Sequence, residues 1–188
     1  MLPSMSAPAS PPARPWVVDD LETMPDDGYR REIIGGVLIV SPSPALQHQV
    51  CSGGLYRALY QARSPEFVVV YAPYDWRPPS GENFVPDLMV LNRSDCNPAG
   101  PLRATPALAI EILSPSNADL DRGLKRMAYA RLGVPAYWIV DPSGPGVLAL
   151  RLNEKGRYVE VARASGKRRF KVDFPYPVEL IPADLVEL

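Results

Sequence analysis

The sequence predicts an α/β chain of the α+β type, a β-sheet flanked by helices and preceded by an N-terminal β-hairpin. Three observations point there. From Phe84 to Asp141 the chain reads strand, loop, strand, helix, strand, with apolar runs FVPDLMVL, ALAIEIL and AYWIVDP between turn residues. Tyr29 to Val40 (YRREIIGGVLIV) places two apolar strands around Gly35-Gly36, a hairpin signal. A length of 188 residues with 46% hydrophobic content suffices for one domain with a real core. That domain is expected over residues 16–188, after a Pro-, Ala- and Ser-rich tail, 1–15, expected to be disordered.

In chain order, Trp16 to Met24 reads as a short helix with Asp19 or Asp20 at its start. Glu32 lies on the first hairpin strand. A helix from about Ala45 to Ala62 carries Val50, Leu55 and Leu59 on an apolar face. Phe67–Tyr71 and Tyr74–Arg77 read as strands. In the buried strand Ala107–Leu113, Leu108, Ile110 and Ile112 share one side, and Ala107, Ala109, Glu111 and Leu113 share the other. The next helix has Ser116 or Asn117 as N-cap, Asp119 and Asp121 at the positive end of its dipole, and Gly133 and Pro135 as its stop. Leu120, Leu124, Met127, Ala128 and Leu132 form its apolar stripe, while Asp121, Lys125 and Tyr129 lie four apart on an adjacent one. Val147–Leu152 and Tyr158–Ala162 read as antiparallel edge strands, and Pro182–Leu188 as a short terminal helix or turn.

Composition excludes several classes. A net charge of −1 gives no global basic field for nucleic acid. Lys167, Arg168, Arg169 and Lys171 form the only dense basic cluster, which reads more readily as a solvated face than as a DNA contact. Cys51 and Cys96 lack the spacing of a zinc site or disulfide framework. No apolar run reaches transmembrane length and no secretory signal is evident, so a cytoplasmic protein without membrane association is expected. P-loop, GxGxxG, HExxH and nucleophile-elbow motifs are absent.

The informative residues are acids in apolar settings. Glu111, flanked by alanines in a core strand, is costly unless paired or bound to metal. Asp87 opens another apolar strand directly after Pro86. Two acids on neighbouring strands can hold one divalent cation, with Lys125 presented to them from the helix. Plainer readings stand beside this one. Glu111 can pair with Arg122 or Lys125 without metal, Asp87 can cap a turn, Lys125 can pair with Asp121, and Glu32 can be an exposed hairpin acid. His48, the sole histidine, is read as a cap or hydrogen-bonding group near its helix start in preference to a proton-transfer catalyst. Tyr129, Tyr137 and Trp138 read as core aromatics.

Asp87 in VPD, Glu111 in EILSPS, Lys125 in DRGLKRMAY and the segment GVPAYWIVDP together resemble the restriction-endonuclease family called Uma-two. EIIGGVLIVSPSPALQHQ, with Glu32 and His48, fits the same family, and the likeness runs from about Trp16 to Leu185. The family is similar to PD-(D/E)xK nucleases, which implies a restriction-endonuclease-like mixed sheet with helices on both sides and metal-dependent phosphodiester hydrolysis. In this sequence Leu113 stands where that motif has its lysine, and the resemblance points to Lys125 as the replacement. It further implies that Asp87, Glu111 and the Ile112 carbonyl hold Mg2+ or Mn2+, and that Lys125 positions water or stabilises developing charge. Glu32 would assist a second metal or bind through water, and Asp75 is a weaker candidate of the same sort. DNA is the expected partner, and a homodimer is suggested because no second module is present to clamp a duplex. The displaced lysine and near-neutral charge leave an alternative, a catalytically inactive nuclease-like fold that binds nucleic acid or protein. A two-carboxylate glycosidase fits poorly, because strand acids beside a lysine suit a cation better than a sugar.

Overall fold

The computed structural model describes residues 14–115 and 117–187. The proposed Ser116 cap and most of the expected N-terminal tail therefore lie outside the described residues. Val18–Thr23 is a 3-10 turn, with the Asp20 carboxylate accepting from the Val17 N–H at 2.9 Å. The hairpin follows as β1 (Arg30–Ile34) and β2 (Val37–Ser41), with Ile34 opposite Val37. Gly35 and Gly36 turn the chain with φ of 58° and 78°, a conformation for which glycine is suited because it has no Cβ. The first long helix, α1, spans Leu46–Ala62.

The main sheet has six strands in the order β3-β4-β5-β6-β7-β8: β3 (Phe67–Tyr71), β4 (Leu88–Asn92), β5 (Leu108–Ile112), β6 (Ala136–Asp141), β7 (Gly146–Leu152) and β8 (Tyr158–Ser165). Only β5 and β6 pair in parallel among these neighbours, so the sheet is mixed, as expected. The parallel pair needs a crossover, and the helix between the two strands, α2 (118–131), provides it. A separate two-stranded unit, β9 (Phe170–Val172) and β10 (Val178–Leu180), was not expected from the sequence. Its strands are only three residues long, too short to show a periodicity.

The two faces of the sheet are covered differently. Leu108, Ile110 and Ile112 pack with Cys51, Leu55 and Leu59 of α1, with Trp138 and Val140, and with Phe170, Val178 and Leu180. Ala109 and Leu113 face the other way, toward Ile34, Trp76, Phe84, Tyr129 and Tyr137. The alternation read from the sequence thus holds.

Three expected details differ. Tyr74–Arg77 is not a strand: Trp76 makes isolated bridges to Phe84 and Leu102, and Pro73, Pro78 and Pro79 flank the segment without donors for a ladder. Of the two strands expected at the edge, β7 is interior, paired with both β6 and β8, and β8 alone is an edge strand. The crossover helix also departs from its expected stripe. It is built of an α turn Ala118–Leu120, a π turn Asp121–Lys125 and an α segment Arg126–Arg131. Met127 is 66% exposed, whereas Asp121, Lys125 and Tyr129 are buried. The Lys125 ammonium turns inward toward Glu32 and Glu111, and Asp121 and Tyr129 on the same stripe turn inward with it. Asn117 occupies the N-cap position without a side-chain capping bond. Pro182–Val186 closes the described chain as a 3-10 turn.

Candidate active site

β4 and β5 lie side by side, which brings Asp87, just ahead of β4, to the level of Ile112 near the end of β5. The Ile112 N–H donates to Asp87 Oδ2 at 2.8 Å. The same oxygen is 3.2 Å from His48 Nε2 on the first turns of α1. Arg30 of β1 donates from Nη1 to Asp87 Oδ1 at 2.7 Å. Burial pushes the Asp87 carboxyl up, but the His48 contact and the charges of Arg30, His48 and Lys125 outweigh it and hold the group at about 2. Asp87 is therefore a fixed carboxylate, and the turn-cap reading does not describe it.

The second group forms around Lys125. Its ammonium lies 2.9 Å from Glu32 Oε2, 3.1 Å from Glu111 Oε1 and 3.6 Å from Asp121 Oδ1, all four side chains being buried. The Tyr129 hydroxyl donates to Glu111 Oε1 at 2.6 Å, and the Val85 N–H donates to Glu32 Oε1 at 2.9 Å. Three buried carboxyl groups thus share one ammonium. Burial, together with the neighbouring acids, pushes Glu111 well above the usual carboxylate range against the pull of Lys125. Burial likewise raises Asp121, to about 6. Burial alone would lower Lys125, yet Glu111, Glu32 and Asp121 hold it above its ordinary value, so it stays charged. Glu111 Oε2 is buried with no hydrogen-bond partner.

Arg30, His48 and Asp87 open onto a cleft of about 460 Å3, whose walls include Tyr71, Ser114 and Asn117. Glu111, Glu32 and Lys125 are not among its lining residues. The Ile112–Asp87 hydrogen bond connects the two groups, since Ile112 directly follows Glu111.

Asp87, Glu111, Ile112, Lys125 and Glu32, all singled out in the sequence, converge here. Glu32 is not the exposed hairpin acid of the plainer reading. Glu111 and Lys125 do pair, and the Lys125–Asp121 relation is present as well. Asp75 stands apart, held by Arg77 at 2.7 Å. Of the basic cluster, Lys167, Arg168, Arg169 and Lys171 are exposed, and Arg169 is engaged by Glu179. Arg30, Asp121 and the Tyr129 hydroxyl were missed as site groups. Asp121 and Tyr129 had a signal in their spacing with Lys125; Arg30 had none, being 57 positions from Asp87. Among the described residues, no group of three or more His, Cys, Asp or Glu side chains is arranged to hold a metal ion. No helix among them is long and apolar enough to cross a membrane.

A family model described as "Putative restriction endonuclease" matches residues 18–180. The fold is similar to the crystal structure of a "putative nuclease belonging to DUF820" from Anabaena variabilis, with a TM-score of 0.69 and 19% sequence identity over 92% of this chain and 98% of that one. No curated protein matches the chain.

Proposed function

The chain belongs to the Uma-two family, and from that premise we propose that it is a divalent-metal-dependent endonuclease hydrolysing phosphodiester bonds of DNA. The observation that carries this reading is the charge imbalance: Glu32, Glu111 and Asp121 surround one ammonium, and Glu111 Oε2 has no hydrogen-bond partner. A divalent cation beside Glu111 would favour its ionised form and offset the surplus of acids. Carboxylate oxygens suit Mg2+ or Mn2+, and Mg2+ is commonly held by one or two carboxylates plus waters and substrate phosphate, so no three-acid cage is required.

Asp87 and Glu111 would hold the ion. The N–H and C=O of a strand residue point to the same side, so the Ile112 N–H directed at Asp87 supports the Ile112 carbonyl as a further ligand. When bound, the cation supplies Lewis-acid activation of water and neutralises charge on the phosphate. Lys125 positions the attacking water or stabilises charge developing on the phosphoryl oxygens. Glu32 positions Lys125, Tyr129 fixes the Glu111 carboxylate, and Arg30 and His48 fix Asp87. Lys125 takes on the role of the absent strand lysine, which leaves Leu113 free to pack in the core.

The test is calorimetric titration of Mn2+ into the wild type and Asp87→Ala, followed by Mn2+-dependent cleavage of DNA by both. Saturable binding and cleavage in the wild type, both lost in a variant with unchanged circular dichroism, are expected. Cleavage that survives Asp87→Ala would remove the carboxylate from the mechanism.

A further inference from the structure

The cleft at Arg30, His48 and Asp87 continues onto a row of aromatic rings, with Tyr60 and Tyr71 exposed and Tyr56 half-buried between them. Ala45, His48, Gln49 and Ser52 of α1 line the cleft. Tyr56 and Tyr60 follow Ser52 at helical intervals of four and therefore extend the same face of α1. Tyr71, the last residue of β3, also lines the cleft and is 57% exposed. Its ring stands edge-on to Tyr56 at 5.0 Å, Tyr56 and Tyr60 are 5.5 Å apart, and the Arg63 guanidinium lies 3.5 Å over Tyr60. The Ala72 N–H donates to the Asp87 carbonyl at 3.0 Å, which fixes the end of β3 relative to the candidate site.

We propose that this row is a stacking track for unpaired bases, and that the substrate is single-stranded or frayed DNA led over Tyr60 and Tyr71 into the cleft. The inference rests on the nuclease reading and adds the substrate class. Exposed tyrosines are poor choices for a solvated surface but good partners for base faces, which they stack on without regard to sequence. The charge distribution argues in the same direction. A duplex clamp draws its affinity from many phosphate contacts, and a chain of net charge −1 offers no global basic field to supply them. Arg63 on Tyr60 and Arg30 in the cleft stand at the two ends of the row. A strand whose bases stack needs few phosphate contacts.

Fluorescence anisotropy with a labelled twelve-residue oligothymidylate, an abasic strand of equal length and the matching duplex separates the possibilities. Each is titrated with wild type, Tyr71→Ala, Tyr71→Phe and Tyr60→Ala, in EDTA and in Ca2+. The expected result is preference for oligothymidylate over both the abasic strand and the duplex, weakened on the order of tenfold in Tyr71→Ala and retained in Tyr71→Phe. Equal binding of the three probes, or an unchanged Tyr71→Ala, overturns the track. So does sedimentation showing a dimer that dissociates in Tyr71→Ala while the wild type binds no oligonucleotide; the row would then be an interface between two copies. None of these failures touches the nuclease reading, which is decided separately by Mn2+-dependent cleavage in the wild type and Asp87→Ala.

Discussion

Ile110 and Ile112 of β5 point into an interior of hydrocarbon, whereas Glu111, between them, points into an interior of charge. On the first side, Leu55 and Leu59 of α1 meet Trp138, Val140 and Phe170, and a polar atom such as the Tyr176 hydroxyl is satisfied by the Leu59 carbonyl at 3.1 Å. On the second side the aromatic wall of Trp76, Phe84, Tyr129 and Tyr137 encloses Lys125 with three acids. The first interior is held by removal of apolar surface from water, which does not depend on protonation. The second holds only while its charges balance. A buried ion cluster is weak evidence for stability in itself, and its retention here is consistent with a functional role.

The largest way to break this comparison is Lys125→Ala, which leaves three buried acids without a cation. A loss of about 4 kcal/mol in urea denaturation at pH 7 is expected, and less than about 1 kcal/mol would mean that the acids are not coupled through the lysine. Next is Leu59→Ala on the apolar side, expected to lose about 3 kcal/mol through lost transfer energy and the cavity left behind. That loss should be equal at pH 5 and pH 8; a pH-dependent value would show that the two interiors are not independent.

Asp121→Asn should have the smallest effect and the clearest pH signature. The folded carboxyl titrates near 6, above its ordinary value of 3.8, so the folded chain binds the proton more readily than the unfolded chain between those values. Its contribution is present below the ordinary value and is lost as pH rises through about 6. The asparagine variant lacks that loss. It should gain roughly 2–3 kcal/mol relative to wild type at pH 7 and almost nothing at pH 4, measured in metal-free buffer.

The parts of this molecule legible in the sequence are those governed by local period. The alternation of Ala107–Leu113 correctly split β5 between the two interiors, and Gly35-Gly36 correctly placed the hairpin. Glu111 stood out because an acid between alanines contradicts its surroundings. What was not legible depends on distant segments meeting. Arg30 looks like any polar strand residue until Asp87 is brought beside it. The inward turn of Asp121 and Lys125, at the expense of Met127, follows from acids contributed by β1 and β5, which the helix sequence does not contain. Tyr74–Arg77 has strand-forming residues, but the prolines on both sides leave it no ladder to join.

The π turn at Asp121–Lys125 sets how this chain tolerates changes of length. It holds one residue more per turn than the regular helix on either side. Removing one of residues 122–124 would turn it into a regular α turn of nearly the same rotation and rise, so the segment downstream would keep its register. Removing one of residues 126–128 instead would rotate Tyr129 by about 100° about the helix axis and away from Glu111. By contrast, the turn at Asn153–Gly156 joins β7 to β8 at the surface, where an inserted residue displaces only the loop. Insertions and deletions should therefore accumulate at that turn, single deletions should be absorbed at 122–124, and both should be excluded from 126–128.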